Sequence, residues 1–133
     1  MSTALEELKL FVDRAIVPDD VIMGILSGLS DNSISKDPGV FHQAIYDLKK
    51  KSDYSELLKE FNFDTSGLTP YSDLLDRVLF RLETANILGT LNPRYAMYEL
   101  QKEQLKQRFE KFPSNKKTLL RQMSKDFTSL INS

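Results

Sequence analysis

The chain has no cysteine and no tryptophan, one histidine, and only five glycines and five prolines. Without cysteine there is no disulfide, no thiolate metal site and no cysteine nucleophile. That suits a reducing compartment, and a cytoplasmic location is the expectation. The lone His42 has no second histidine to share a metal, so neither metal nor cofactor is expected. Apolar runs are short. Val21-Ile22-Met23 stops at Gly24, far from the ~20 residues of a membrane span, so no membrane partner is expected. Glu6 and Glu7 precede any basic residue, which is not the positive start of a signal peptide. Net charge is −1, so no overall field drives binding to nucleic acid or lipid.

What is present is an ordinary globular composition, with 41% hydrophobic and 28% charged residues over 133 positions. One domain is expected, in three parts: N-terminal helices over 1–39, a core over 40–100, and basic C-terminal helices over 101–133. Charge divides unevenly between them. Residues 1–100 carry ten Lys/Arg against sixteen Asp/Glu, a net −6, and residues 101–133 carry eight against three, a net +5. The basic end either covers the acidic body or meets a partner.

The central stretch is Phe61 to Leu100. Phe61 and Phe63 alternate about Asn62, which suits a short strand. Asp64 to Pro70 is rich in turn formers. From Tyr71 to Asn86, apolar residues at 71, 74, 75, 78, 79, 82 and 85 follow the three-and-four spacing of a helix buried on one side. Thr69 is the expected N-cap, Pro70 fits the entry, and Asn86 marks the end. Ile87 to Leu91 and Ala96 to Leu100 are apolar runs of strand length, joined by Asn92-Pro93-Arg94-Tyr95 as a hairpin loop.

Around this stretch the spacing predicts further helices. One runs from Ser2 or Thr3 to about Ile16, and a second begins at Asp19 or Asp20. Ser30 to Gly39 reads as a loop with Ile34 its only large apolar residue. A third helix spans about Val40 to Lys51, and a fourth Tyr54 to Glu60, anchored by Leu57 and Leu58. Gln101 to Phe112 is helical, Pro113 breaks it, and a last helix carries the stripe Leu119, Leu120, Met123, Phe127, Leu130 and Ile131. The fold class is therefore mainly α: a winged helix-turn-helix-like domain with one small β-hairpin and extra N- and C-terminal helices.

The order Phe41-His42-Gln43-Ala44-Ile45-Tyr46-Asp47-Leu48-Lys49-Lys50, Phe61-Asn62-Phe63, then Gly67…Pro70-Tyr71-Ser72…Leu75 resembles a poorly characterised winged-helix family of bacteria and archaea. That family has a Gly-Pro-Tyr-Ser turn. The Panacea antitoxin domain is loosely similar. The resemblance covers roughly residues 40–100, and here Leu68 and Thr69 separate the glycine from Pro70-Tyr71-Ser72. It implies a winged-helix fold and regulatory or antitoxin-like roles. It implies no enzyme activity and transfers no catalytic residue.

Two surfaces are candidates for binding. Lys49, Lys50, Lys51, Arg77, Arg81 and Arg94 are the cations a winged helix would bring to nucleic acid. The helix that would enter the groove is net −1, however, with Asp73, Asp76 and Glu83 against Arg77 and Arg81, and Asp73 with Arg77 reads as an i,i+4 pair. The stripe from Leu119 to Ile131 packs either on its own domain or on a second copy. The carboxylate pairs Asp73/Asp76 and Glu56/Glu60 do acid–base work only in a pocket that perturbs them. The expectation is a non-enzymatic regulatory or protein-interaction module, with a protein partner or a homodimer. A DNA-binding transcriptional regulator or antitoxin-like protein is the alternative.

Overall fold

A computed structural model describes residues 17–90 and 97–131. It is mainly helical, with five helices and a small three-stranded antiparallel sheet among the described residues. The expected first helix, the wing tip and Arg94 lie outside them.

Helix α1, Pro18–Ser27, starts with proline at its first position, where no donor is needed. The Val17 backbone N–H is met by Asp20 Oδ2 at 3.2 Å. The helix is buried from Val21 to Leu26 without a break because neighbours flank it on several sides. Helix α3 lies against one side, and α4 and α5 against others (Asp73–Thr84, Lys102–Glu110 and Ser114–Ile131). Gly24 and Gly28 permit the approach of α5. A Cβ on Gly24 would meet Leu120 at 2.6 Å, and one on Gly28 would meet Ser124 Oγ at 2.4 Å. Ser124 Oγ donates to the Ile25 carbonyl at 2.5 Å, so the contact is polar as well as close.

Strand β1, Ser33–Ser35, corrects the reading of Ser30 to Gly39 as a loop. Ile34 is buried in the core while the serines beside it pair with β3, Met97–Leu100. The register sets Ser33 opposite Glu99 and Ile34 opposite Tyr98. Strand β2, Leu88–Thr90, pairs with the other edge of β3, so the order is β1-β3-β2. The expected pairing of the segments after the central helix is therefore present, with a third strand added.

Helix α2, Phe41–Lys49, buries Phe41, His42, Ala44, Ile45 and Leu48. The chain from Tyr54 to Glu60 is a run of turns, not the expected helix. Its backbone bonds mix three- and four-residue steps, as in Tyr54 N–H to Lys51 O and Leu58 N–H to Tyr54 O. Tyr54 and Leu58 still reach the core, and Tyr54 Oη donates to Asp126 of α5 at 2.5 Å. Phe61 to Phe63 is not a strand either, and the Lys49 ammonium donates to the Phe61 carbonyl at 2.7 Å. Pairing begins one residue later, where Asp64 and Tyr71 exchange backbone bonds of 2.8 and 3.0 Å and close a loop.

Helix α3 is shorter than the sequence suggests. It begins at Asp73 with Ser72 as N-cap, whose Oγ accepts from Leu75 N–H at 3.2 Å. Tyr71 and Thr69 therefore precede the helix. At the far end Asn86 adopts φ 63°, the left-handed turn expected of it, and the chain passes straight into β2. Leu75, Val78, Leu79 and Leu82 face inward and join one continuous core cluster with α1, α2 and the sheet. No helix among the described residues is long and apolar enough to cross a membrane.

Candidate functional site

The site is the outer face of α3 and the chain that leads into it. His42 on α2 is 2% exposed. Its Nδ1 accepts the Ser72 backbone N–H at 3.1 Å, so in this geometry that nitrogen carries no proton. The imidazole stacks on Tyr71, centroids 4.6 Å apart and planes within 4°. Burial holds the His42 pKa below its ordinary value, and the Asp76 carboxylate opposes that shift. This latch joins α2 to the start of α3 across 30 residues of sequence.

Outward from the latch, α3 presents Asp73, Asp76, Arg77, Phe80, Arg81 and Thr84. Phe80 is 68% exposed. Asp76 and Phe80 are four residues apart and share one side of the helix. Tyr71 lies beside Asp76, and both burial and that carboxylate raise its pKa. On β3, burial pushes Tyr98 up to about 12, with the charges of Glu83 and Asp76 adding to the effect. Lys36 sits 4.8 Å from the centre of the Tyr98 ring and 3.4 Å from Glu83. Three aromatic rings are thus set among carboxylates along one side of α3. Next to them a hollow of about 480 Å³ is lined by Glu60, Asn62, Phe63, Asp64, Tyr71, Asp73, Leu74 and Arg77. It holds three carboxylates and one guanidinium.

Most of the cations singled out in the sequence are engaged elsewhere. Lys49 is bound to the Phe61 carbonyl. Lys50 lies 4.3 Å from the Tyr46 ring centre and 3.9 Å from Asp47. Lys51 pairs with Asp126 at 3.6 Å. Arg81 forms two bonds to Asp19 of α1, at 2.8 and 2.7 Å. Arg77 is exposed and, among the described residues, forms neither the expected pair with Asp73 nor any other ion pair. Arg94 falls outside the described residues.

The apolar stripe of α5 is used within the chain. Leu120, Met123 and Phe127 are in the core, and Leu119, Leu130 and Ile131 are partly buried against it. Phe127 meets Phe41 edge-on, centroids 5.4 Å apart. Glu56 forms an exposed pair with Lys59 at 2.8 Å. Among the described residues no group of three His, Asp or Glu side chains is placed to hold a metal.

Two features of this face went unread in the sequence. Phe80 falls between the stripe positions 79 and 82, and an aromatic residue off a helix's apolar stripe is a signal of exposure. The His42–Ser72 bond left no signal, because it joins distant residues of unremarkable type. The chain matches no family model, and no curated protein or solved structure matches it.

Proposed function

We propose that this chain is a non-enzymatic regulatory or protein-interaction module, built as a winged helix whose outer α3 face receives a protein partner. The winged-helix reading draws support from the element order: helix, strand, two helices, then two paired strands with β3 at the centre of the sheet. The interaction reading rests on one observation. The middle of the exposed helix face carries Phe80, 68% exposed, among Asp73 and Asp76. A phosphate backbone is repelled by those carboxylates, whereas aromatic residues are enriched at protein interfaces. A cytoplasmic location belongs to the same proposal and rests on the absence of cysteine.

A DNA-binding regulator or antitoxin-like role is the second reading, and the exposed Arg77 favours it. Fluorescence anisotropy with a generic labelled duplex separates the two. Binding weaker than ~10⁻⁶ M at physiological salt, within or beyond the usual nonspecific range, is the expected result. Submicromolar affinity that falls steeply with salt overturns the interaction reading.

A further inference from the structure

Among the described residues the basic C-terminal helices supply no cation to an ion pair, although the charges of Arg108 and Lys116 reach Asp20 and Glu56 of the body. Among the described residues the ion pairs are Lys36–Glu83, Lys50–Asp47, Lys51–Asp126, Lys59–Glu56 and Arg81–Asp19. None uses a cation of α4 or α5. The one pair that reaches α5 takes its carboxylate, Asp126. Lys117, Arg121 and Lys125 recur every four residues on α5, so they form one row on the helix surface. Arg121 lies 5.3 Å from the ring of Phe109 on α4 and, like Lys125, is exposed.

The geometry keeps this row away from the outer face of α3. Helix α1 stands between them. Its Gly24 and Gly28 face Leu120 and Ser124 of α5, while its Asp19 binds Arg81 of α3. At 3.6 residues per turn, positions 24 and 28 lie roughly 140° and 180° around the helix from position 19. Helices α3 and α5 therefore meet different sides of α1, and the Lys117–Arg121–Lys125 row and the Asp73, Asp76 and Phe80 face stand on separate elements. No ion pair joins them among the described residues.

We propose that the chain self-associates head to tail, the Lys117–Arg121–Lys125 row of one copy seating on the Asp73, Asp76 and Phe80 face of the next. This rests on the outer face of α3 being a protein-docking surface, and it names a second copy as the occupant. Charge complementarity supplies the match: Asp73 and Asp76 outnumber Arg77, the one cation of that face without an ion pair among the described residues, so carboxylates meet cations, and the exposed Phe80 ring accepts the stems and charges of Lys and Arg side chains. Unlike surfaces in contact make the interface heterologous, so it grows into rings or open filaments instead of stopping at a twofold dimer.

The test is sedimentation of the full chain at low and high ionic strength, with two charge-reversal variants. One carries Asp73→Lys and Asp76→Lys. The other carries Lys117→Glu, Arg121→Glu and Lys125→Glu. The parent is expected to gain mass with concentration at low salt and to return to monomer at high salt. Each variant alone is expected to stay monomeric, and an equimolar mixture of the two is expected to associate again. That recovery requires both variants to be folded, so it separates a lost contact from a lost fold. A parent that stays monomeric at low salt overturns the proposal, as does association that survives either variant or high salt. The duplex anisotropy measurement is independent of these results, so a failure here is distinguishable from a failure of the interaction-module reading.

Discussion

The backbone N–H of Ser72 donates to Nδ1 of His42 at 3.1 Å, and the Ser72 hydroxyl in turn accepts from Leu75 N–H at 3.2 Å. One residue thus anchors the entry of α3 to α2 and caps the helix at the same time. The latch works only while Nδ1 is unprotonated, because an imidazolium donates from both nitrogens.

Stability should therefore fall on mild acidification. The folded pKa of His42 lies below the ordinary 6.5 because burial disfavours the cation, against a smaller opposing effect of Asp76. In the window between the two values the unfolded chain binds the extra proton, so stability is present above 6.5 and is lost as pH falls through the folded value. His42→Asn keeps an acceptor and removes the titration. Thermal midpoints measured from pH 7 down to about 5, above most carboxylate titration, are expected to fall less in the variant than in the parent. Equal slopes would mean that His42 does not control this window.

Leu82 and Phe80 lie two residues apart on α3 and should behave oppositely. Leu82 is 3% exposed, and Leu82→Ala should cost roughly 2–5 kcal/mol through the cavity it leaves. Phe80 is exposed, and Phe80→Ala should shift stability by no more than about 0.5 kcal/mol while weakening association on the outer face. Urea denaturation measures the first pair of values and sedimentation the last.

Gly28 should not tolerate a side chain. A Cβ there stands 2.6 Å from the Ser124 Cβ, an atom fixed to the α5 backbone that cannot swing aside. Gly28→Ala should destabilise by about 1–3 kcal/mol through overpacking. Gly24→Ala should cost less, because its closest contact is the tip of Leu120. The order of the two denaturation midpoints checks the assignment of the α1–α5 contact.

The sequence-derived elements that matched the structure are those whose signal is local and repeated. The stripes of α3 and α5 recur over several turns, Asn86 and Pro113 are punctuating residues, and two apolar runs follow α3. The elements that failed are short ones made by their neighbours. A three-residue strand with one apolar side chain, Ile34, is too short for its alternation to register as a signal, and it pairs with the free edge of β3. Tyr54 to Glu60 has helical spacing, yet its backbone follows turns while Tyr54 and Leu58 are drawn into the core.

The candidate site divides in the same way. Net charge, the missing cysteines, the uneven split between acidic body and basic end, and the inward face of α3 were all set by residue identity and spacing, which any chain of this sequence carries into whatever it folds into. Which cations remain available was settled by partners far away in the chain: Arg81 by Asp19, Lys51 by Asp126, Lys49 by the Phe61 carbonyl. The latch from His42 to Ser72 and the placing of α3 and α5 against different sides of α1 depend likewise on tertiary packing. Spacing along a chain determines which residues share one face of a helix. Only the assembled core decides which face meets another element and which is left to solvent.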